Sequence, residues 1–316
     1  MRAVVLVAAA AVCTGGCGAC EPSPPQGNDG AAASGAAATA SAPPPPIDSA
    51  RAHPPAQRLA CRSIAVEGDV HVETTVDAGV VPLLIEGLVP TEGWLALGKG
   101  AKFVAKDPRT TRETTFRGPG RVRACVGYAE ESWIGAGGFD STMGSGESPG
   151  AEEWVVTPLA VIRYAAAKLS VDVRPKEETL SVTGGGVAFL WLGDDARFRL
   201  VNGGASEKKD EGWIRLDGSA VSVTPASGTP DTLDAARGAL DRCSTLAKST
   251  RELTSTLMAG GADAAVVTQQ VTSRRLARAA CDVANLRISA LPPSEASMGL
   301  AKSLVEANAA WTTIGP

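Results

Sequence analysis

Histidine is nearly missing from this sequence: His53 and His71 are the only two in 316 residues. Catalytic and metal centres that combine several imidazoles are therefore excluded. Tyrosine is equally scarce, at two, and all aromatic residues together make up 4%. Basic residues are not in excess either: 30 Lys and Arg stand against 34 Asp and Glu, giving a net charge of −4 and an isoelectric point near 5.4. Nucleic acid requires a concentrated positive surface to displace its counterions, so it is excluded as a partner. A long apolar run is lacking as well. Ala3 to Val12 holds only about ten apolar residues, too few for a hydrocarbon core of roughly 30 Å.

What the N-terminus does hold is MRAVVLVAAAAVCTGGCGAC, one positive residue followed by that apolar run and then by small residues and cysteines. This is the order of an export signal. The Gly16–Cys17 and Ala19–Cys20 junctions resemble the lipobox of bacterial lipoproteins, in which a small residue precedes the cysteine that receives lipid. Thr14 or Cys17 stands three positions earlier, where Leu is usual. The expectation is a signal segment over 1–20 with Cys17 or Cys20 lipidated; cleavage near Ala19 of an ordinary secreted chain is the alternative.

Four of the seven cysteines lie beyond this region: Cys61, Cys125, Cys243 and Cys281. An even set in an exported chain favours two disulfides. They form no CxxC pair or Cys/His cluster, so neither zinc nor any other cofactor is expected. Cys243 and Cys281 sit about equally far from a turn near Ala262, which would place them opposite each other in a helical hairpin. The expected pairs are Cys61–Cys125 and Cys243–Cys281.

Composition divides the rest of the chain. Residues 21–57 are rich in Pro, Ala, Ser and Gly, including Pro43 to Pro46, and read as a disordered spacer with His53 inside it. Residues 58–228 read as mainly β, a sandwich or rolled sheet, with short runs at Ile64 to Thr75, Val80 to Leu84, Trp94 to Leu97, Thr114 to Phe116 and Val122 to Tyr128. A Gly/Ser-rich insertion is expected from Gly135 to Gly150. Residues 229–316 read as a small α-helical C-terminal unit of three helices, opened by Thr229-Pro230-Asp231 and broken at Gly260-Gly261 and Pro292-Pro293.

The segment AEEWVVTPLAVIRYAAAKLSVDV, Ala151 to Val173, supports two readings. Thr157-Pro158 and the alanines that follow have the form of a helix start. Leu169 to Val173 alternates as a strand does, and the neighbouring runs TLSVTGGGVAFLWL and GWIRLDGSAVSVTP are β-branched and Gly-punctuated. The surroundings favour strands.

No catalytic motif stands out. Gly144-Ser145-Gly146-Glu147-Ser148 has the wrong order for a nucleophile elbow, and Gly184-Gly185-Gly186 lacks the spacing of a phosphate loop. The carboxylate pairs Glu130-Glu131, Glu152-Glu153, Glu177-Glu178 and Asp194-Asp195 read as solvated edges or turn tips, because neighbours on a strand point to opposite faces. His71 falls on the polar face of an alternating run. Trp94, Trp133, Trp154, Trp191, Trp213 and Trp311 read chiefly as core, with a sugar-stacking platform as the rival.

Glu152 to Trp191 is similar to the second half of the FecR-type periplasmic domain. Val155-Val156-Thr157-Pro158 matches its opening, Leu169 to Val173 its alternating strand and Leu180 to Val187 its closing hairpin; GWLALGKGAKFVAKD, Gly93 to Asp107, looks like an earlier step. Ala165-Ala166-Ala167 departs from the Gly-Thr pair usual before the alternating strand. The resemblance implies a non-catalytic scaffold for signalling or binding in the bacterial envelope, of the stand-alone kind without a spanning helix. The expected partner is an envelope protein or polysaccharide, with membrane attachment through the N-terminal lipid. A cell-wall glycan-binding module is the alternative, and an exported hydrolase a more distant one.

Overall fold

The computed structural model describes residues 61–73, 81–90, 93–107, 112–126, 131–142, 152–165, 167–184, 186–202, 209–210, 212–216, 218–226, 228–259 and 263–312. The signal segment, Cys17, Cys20 and the spacer lie outside the described residues. The described chain is a large, almost wholly antiparallel β region followed by three helices.

The first strands are β1 (Arg62–Glu67), β2 (Val70–Glu73), β3 (Val81–Pro82), β4 (Trp94–Leu97) and β5 (Lys102–Lys106), with the long pair β6 (Glu113–Val126) and β7 (Glu131–Thr142) beside them. The expected strand at Thr114 to Phe116 and the described part, to Val126, of that at Val122 to Tyr128 thus belong to one element. Gly118 and Gly120 join them, since a Cβ on Gly118 would come within 2.2 Å of the Gly98 carbonyl oxygen, and one on Gly120 within 2.2 Å of that of Ala136. The Gly-rich run beginning at Gly135 also differs from expectation. Its first part, to Thr142, is the second half of β7, and its glycines let neighbouring strands approach closely; residues 143–150 are not described.

Then come β8 (Glu153–Val156), β9 (Ala160–Ala165), β10 (Lys168–Arg174), β11 (Glu177–Gly184), β12 (Val187–Leu192), β13 (Ala196–Asn202), β14 (Lys209–Asp210), β15 (Trp213–Leu216) and β16 (Ala220–Pro225). Their order is β13-β16-β11-β10-β7-β8-β9-β12-β15-β14. Among the described residues only β7 and β8 pair in parallel. One core gathers Leu169, Val171 and Val173 of β10, Leu180 and Val182 of β11, and Val221 and Val223 of β16. It also takes in Ile162 and Tyr164 of β9, Leu190 of β12 and Leu216 of β15. The sheet is therefore rolled, with its two ends facing each other across this core.

Ala151 to Val173 is resolved in favour of strands, and the local chemistry of Thr157 explains why a helix start looked plausible. Its hydroxyl accepts from the Ala160 N–H at 3.0 Å, the same three-residue reach as an N-cap. Here the Thr157 N–H also donates to the Ala160 carbonyl at 2.9 Å. That closes a hairpin turn, and the chain leaves as β9 instead of winding on.

The helices are α1 (Leu233–Met258), α2 (Ala264–Ala290) and α3 (Glu295–Thr312). The N-cap of α1 is Thr232, whose hydroxyl accepts from Ala235 N–H at 3.1 Å, three residues beyond the expected Thr229. Asp263 caps α2 in the same manner. No helix among the described residues is long and apolar enough to cross a membrane.

Both disulfides are present, Cys61–Cys125 and Cys243–Cys281, the second tying α1 to α2. They point to an oxidising, extracytoplasmic environment. Non-reducing peptide mapping of the purified protein is expected to recover these two bridges; a peptide linking Cys61 or Cys125 to either helical cysteine would contradict the fold.

Candidate functional site

The helices cover the outer face of β8, β9, β12 and β15, and tryptophan fills the seam. Trp94, Trp133, Trp154, Trp191 and Trp213 are each at most 9% exposed and share a second core with Ala236, Leu240 and Cys243 of α1, Cys281, Val283 and Leu286 of α2, and Leu304 of α3. They are core residues and cannot form an open sugar platform. The side chain of Trp311 is not among those described.

Arginines lie between these rings. The Arg123 guanidinium is 4.9 Å from the Trp133 ring, Arg163 is 4.9 Å from Trp213 and 4.6 Å from Phe189, and Arg278 of α2 is 4.3 Å from Trp154. A guanidinium stacked on an aromatic face keeps a favourable partner after losing water, so cations can be carried into the seam.

The carboxylate pairs require a correction. Glu177 and Asp194 do face outward, but Glu131, Glu153, Glu178 and Asp195 each turn toward the protein and meet a donor there. Glu152, 29% exposed, is held by Arg163 at 2.8 Å, and Glu130 lies outside the described residues. Glu131 is buried, accepting from Trp133 Nε1 at 2.6 Å and from Arg278 at 3.1 Å. Glu153 accepts from Tyr164 Oη at 2.6 Å and pairs with buried Arg112 at 2.5 Å. Burial, and then Glu153, push the Tyr164 phenol well above its ordinary value. Asp282 of α2 lies near Glu131, and burial together with that neighbouring charge raises its carboxyl well above the ordinary value.

The most connected group is centred on Arg287. This side chain, 2% exposed, donates from Nε to the Pro158 carbonyl at 2.7 Å and from Nη1 to the Ala235 carbonyl at 3.1 Å. It also holds both oxygens of Asp195 at 2.8 Å. Glu178 of β11 lies on the other side of the same turn, accepting from the Leu159 N–H at 2.9 Å and the Thr157 hydroxyl at 2.5 Å. Burial raises the Glu178 carboxyl from 4.5 to about 7, against the opposing pull of those two donors and Arg287. One turn thereby joins β11, the β12–β13 connection, α1 and α2.

Two cavities flank this group, and Arg287 lines both. One of about 410 Å³ opens beside Trp191, Asp194, Thr232 and Arg242. The other, about 310 Å³, is walled by Trp94, Leu159, Arg121 and Glu178. Both reach the size of small-ligand sites. Arg121 is held by Glu73 at 2.7 Å and Arg242 pairs with Asp194 at 3.5 Å, so these two arginines of the walls already have partners within the fold. Glu131 and Asp282 line neither cavity.

Among the described residues no group of three or more His, Cys, Asp and Glu could hold a metal ion. His71 is partly exposed beside Asp69, 3.4 Å away. Arg287 carries little local signal. Its one signal was position: in VANLRIS it stands where an apolar residue would continue the buried face of Val283, Ala284, Leu286 and Ile288. Comparisons with protein families, with curated proteins and with solved structures find no match to this chain.

Proposed function

We propose that this is an exported, lipid-anchored envelope protein that acts by binding, with its FecR-like β region and its helices working as one body. The carrying observation is the use made of its titratable groups. Glu131, Glu153, Glu178 and Asp195 each meet an arginine, hydroxyl or backbone donor that fastens the fold, which suits a rigid scaffold better than acid–base turnover. The likeness of Glu152 to Trp191 to the FecR-type domain supports the same reading, because that domain serves interaction. The partner is another envelope protein or polymer, and buried tryptophans favour the protein over a glycan.

Photo-crosslinking of the full chain in intact envelopes tests this, combined with metabolic labelling by a palmitate analogue. One reproducible partner and acylation at Cys17 or Cys20 are expected. Absence of any reproducible adduct rules out the binding reading, and label retained in a Cys17→Ser, Cys20→Ser variant rules out the lipid anchor.

A further inference from the structure

The most exposed cluster of large apolar side chains lies far from the seam in sequence, around β1 and β3. Leu84, Ile85 and Leu88 are 67%, 60% and 66% exposed, with Val81 at 44% and Ile64 at 37% beside them. These side chains are not on a loose end. The Ser63 N–H donates to the Gly87 carbonyl at 3.0 Å, the Glu86 N–H to the Ser63 carbonyl at 2.6 Å, and the Ser63 hydroxyl to the Leu84 carbonyl. Leu88 forms a bridge with Arg62. Glu86 has φ +59°, a conformation that costs a non-glycine residue energy and persists only where the surroundings enforce it. The fold thus holds an aliphatic turn in a fixed shape with its apolar side chains outward.

We propose that this turn docks the folded body onto a lipid bilayer. The membrane orientation rests on the lipid-anchor reading above. Two observations choose lipid over protein. The patch is aliphatic, with Arg62 at its rim and without the tryptophan or tyrosine that dominate protein hot spots. The chain also enters the fold at this face: the Cys61 carbonyl accepts from the Val89 N–H at 2.9 Å, and the acyl-acceptor cysteines stand about forty residues earlier in sequence. Among the faces of the body, connectivity brings this one most readily to the anchored membrane.

The chemistry of the rim fits a shallow site. Exposed Arg62, on the same side of β1 as Ile64, can reach lipid phosphate while its stem lies along the apolar boundary. Glu86, at the exposed tip, meets the ammonium of phosphatidylethanolamine and keeps the turn at headgroup depth. Such a contact is weak alone and adds to a covalent lipid as a second signal, fixing orientation more than attachment.

The test uses the full chain bearing Cys17→Ser and Cys20→Ser, which removes the acyl acceptors, mixed with phosphatidylethanolamine/phosphatidylglycerol vesicles containing a diazirine lipid. Label is expected in the peptide spanning 81–90. Adding Leu84→Asp and Leu88→Asp should lower vesicle partition about tenfold or more, abolish that label and leave the melting temperature unchanged. Equal partition with and without the aspartates overturns the proposal, as does label concentrated on the exposed helical Met258, Met298 and Val305. Failure of the anchor reading shows separately, as an unacylated N-terminal peptide in the wild type.

Discussion

Replacing Arg287 with alanine is expected to destabilise the protein by about 3–5 kcal/mol, the cost of leaving one partner of a buried pair alone. The variant loses the fork to Asp195 and the bonds to the Pro158 and Ala235 carbonyls. The Asp195 carboxylate, 31% exposed, and two backbone carbonyls are left without that donor. In a protein of this size the midpoint should fall by about 10 °C. Arg287→Lys keeps the charge but cannot serve four acceptors in three directions from one planar group, so it should recover only part of the loss. In a double-mutant cycle with Asp195→Asn, the two losses should be clearly less than additive. Thermal and urea unfolding decide the matter. A loss below about 1 kcal/mol for Arg287→Ala would mean that tryptophan packing alone fastens the helices.

The second large effect is a pH dependence centred on Glu178. Its folded-state pKa is raised from 4.5 to about 7, mainly by burial. Between those values the folded protein holds a proton that the unfolded chain has released. The stabilisation is fully present below the lower value and is lost as pH rises through the upper one, amounting to about 3 kcal/mol over the whole span. Glu178→Gln carries no such proton. Its amide oxygen can still accept from Leu159 N–H, and its NH2 can donate to the Thr157 hydroxyl, which has the Ala160 carbonyl at 2.9 Å as another acceptor. Relative to wild type, the variant should gain about 2–3 kcal/mol at pH 8 compared with pH 5. Asp282 shifts in the same direction, so the informative quantity is the difference between variant and wild type at each pH. An unchanged difference from pH 5 to pH 8 would show that Glu178 is ionised throughout.

The strands of the region differ in how they could be read. In β10 and β11, Leu169, Val171 and Val173 and then Leu180 and Val182 alternate with polar residues because one face of each strand meets the core and the other meets water. That pattern is a local consequence of one-sided burial, so it is visible locally. In β8 and β9, Trp154-Val155-Val156 and Ala160-Val161-Ile162 are buried without alternation, since the rolled core covers one face and the helices the other. Two-sided burial erases the period, which is why this segment could also be taken for a helix. The helix limits were more legible. Thr232 and Asp263 act through short-range bonds to residues three positions on, although the same grammar at Thr229 and Thr157 led elsewhere.

Composition and spacing by themselves determined the class of this protein: a β region, three helices, and two disulfides whose partners fall within each part. Those properties follow from the sidedness of burial, from turn residues and from cysteine number, all carried by neighbouring positions along the chain. Tertiary structure decided which charges are interior. Glu178, Asp195 and Arg287 are separated by 17 and 92 residues; the alternation of β11 sets Glu178 in phase with buried Leu180 and Val182, but nothing local shows which donors meet it there. A carboxylate can be buried only where a donor from elsewhere in the chain arrives to meet it. For Asp195 that donor is Arg287, present only once the helices have closed over the tryptophan face, whereas Glu178 is met by the strand turn at Thr157 and Leu159.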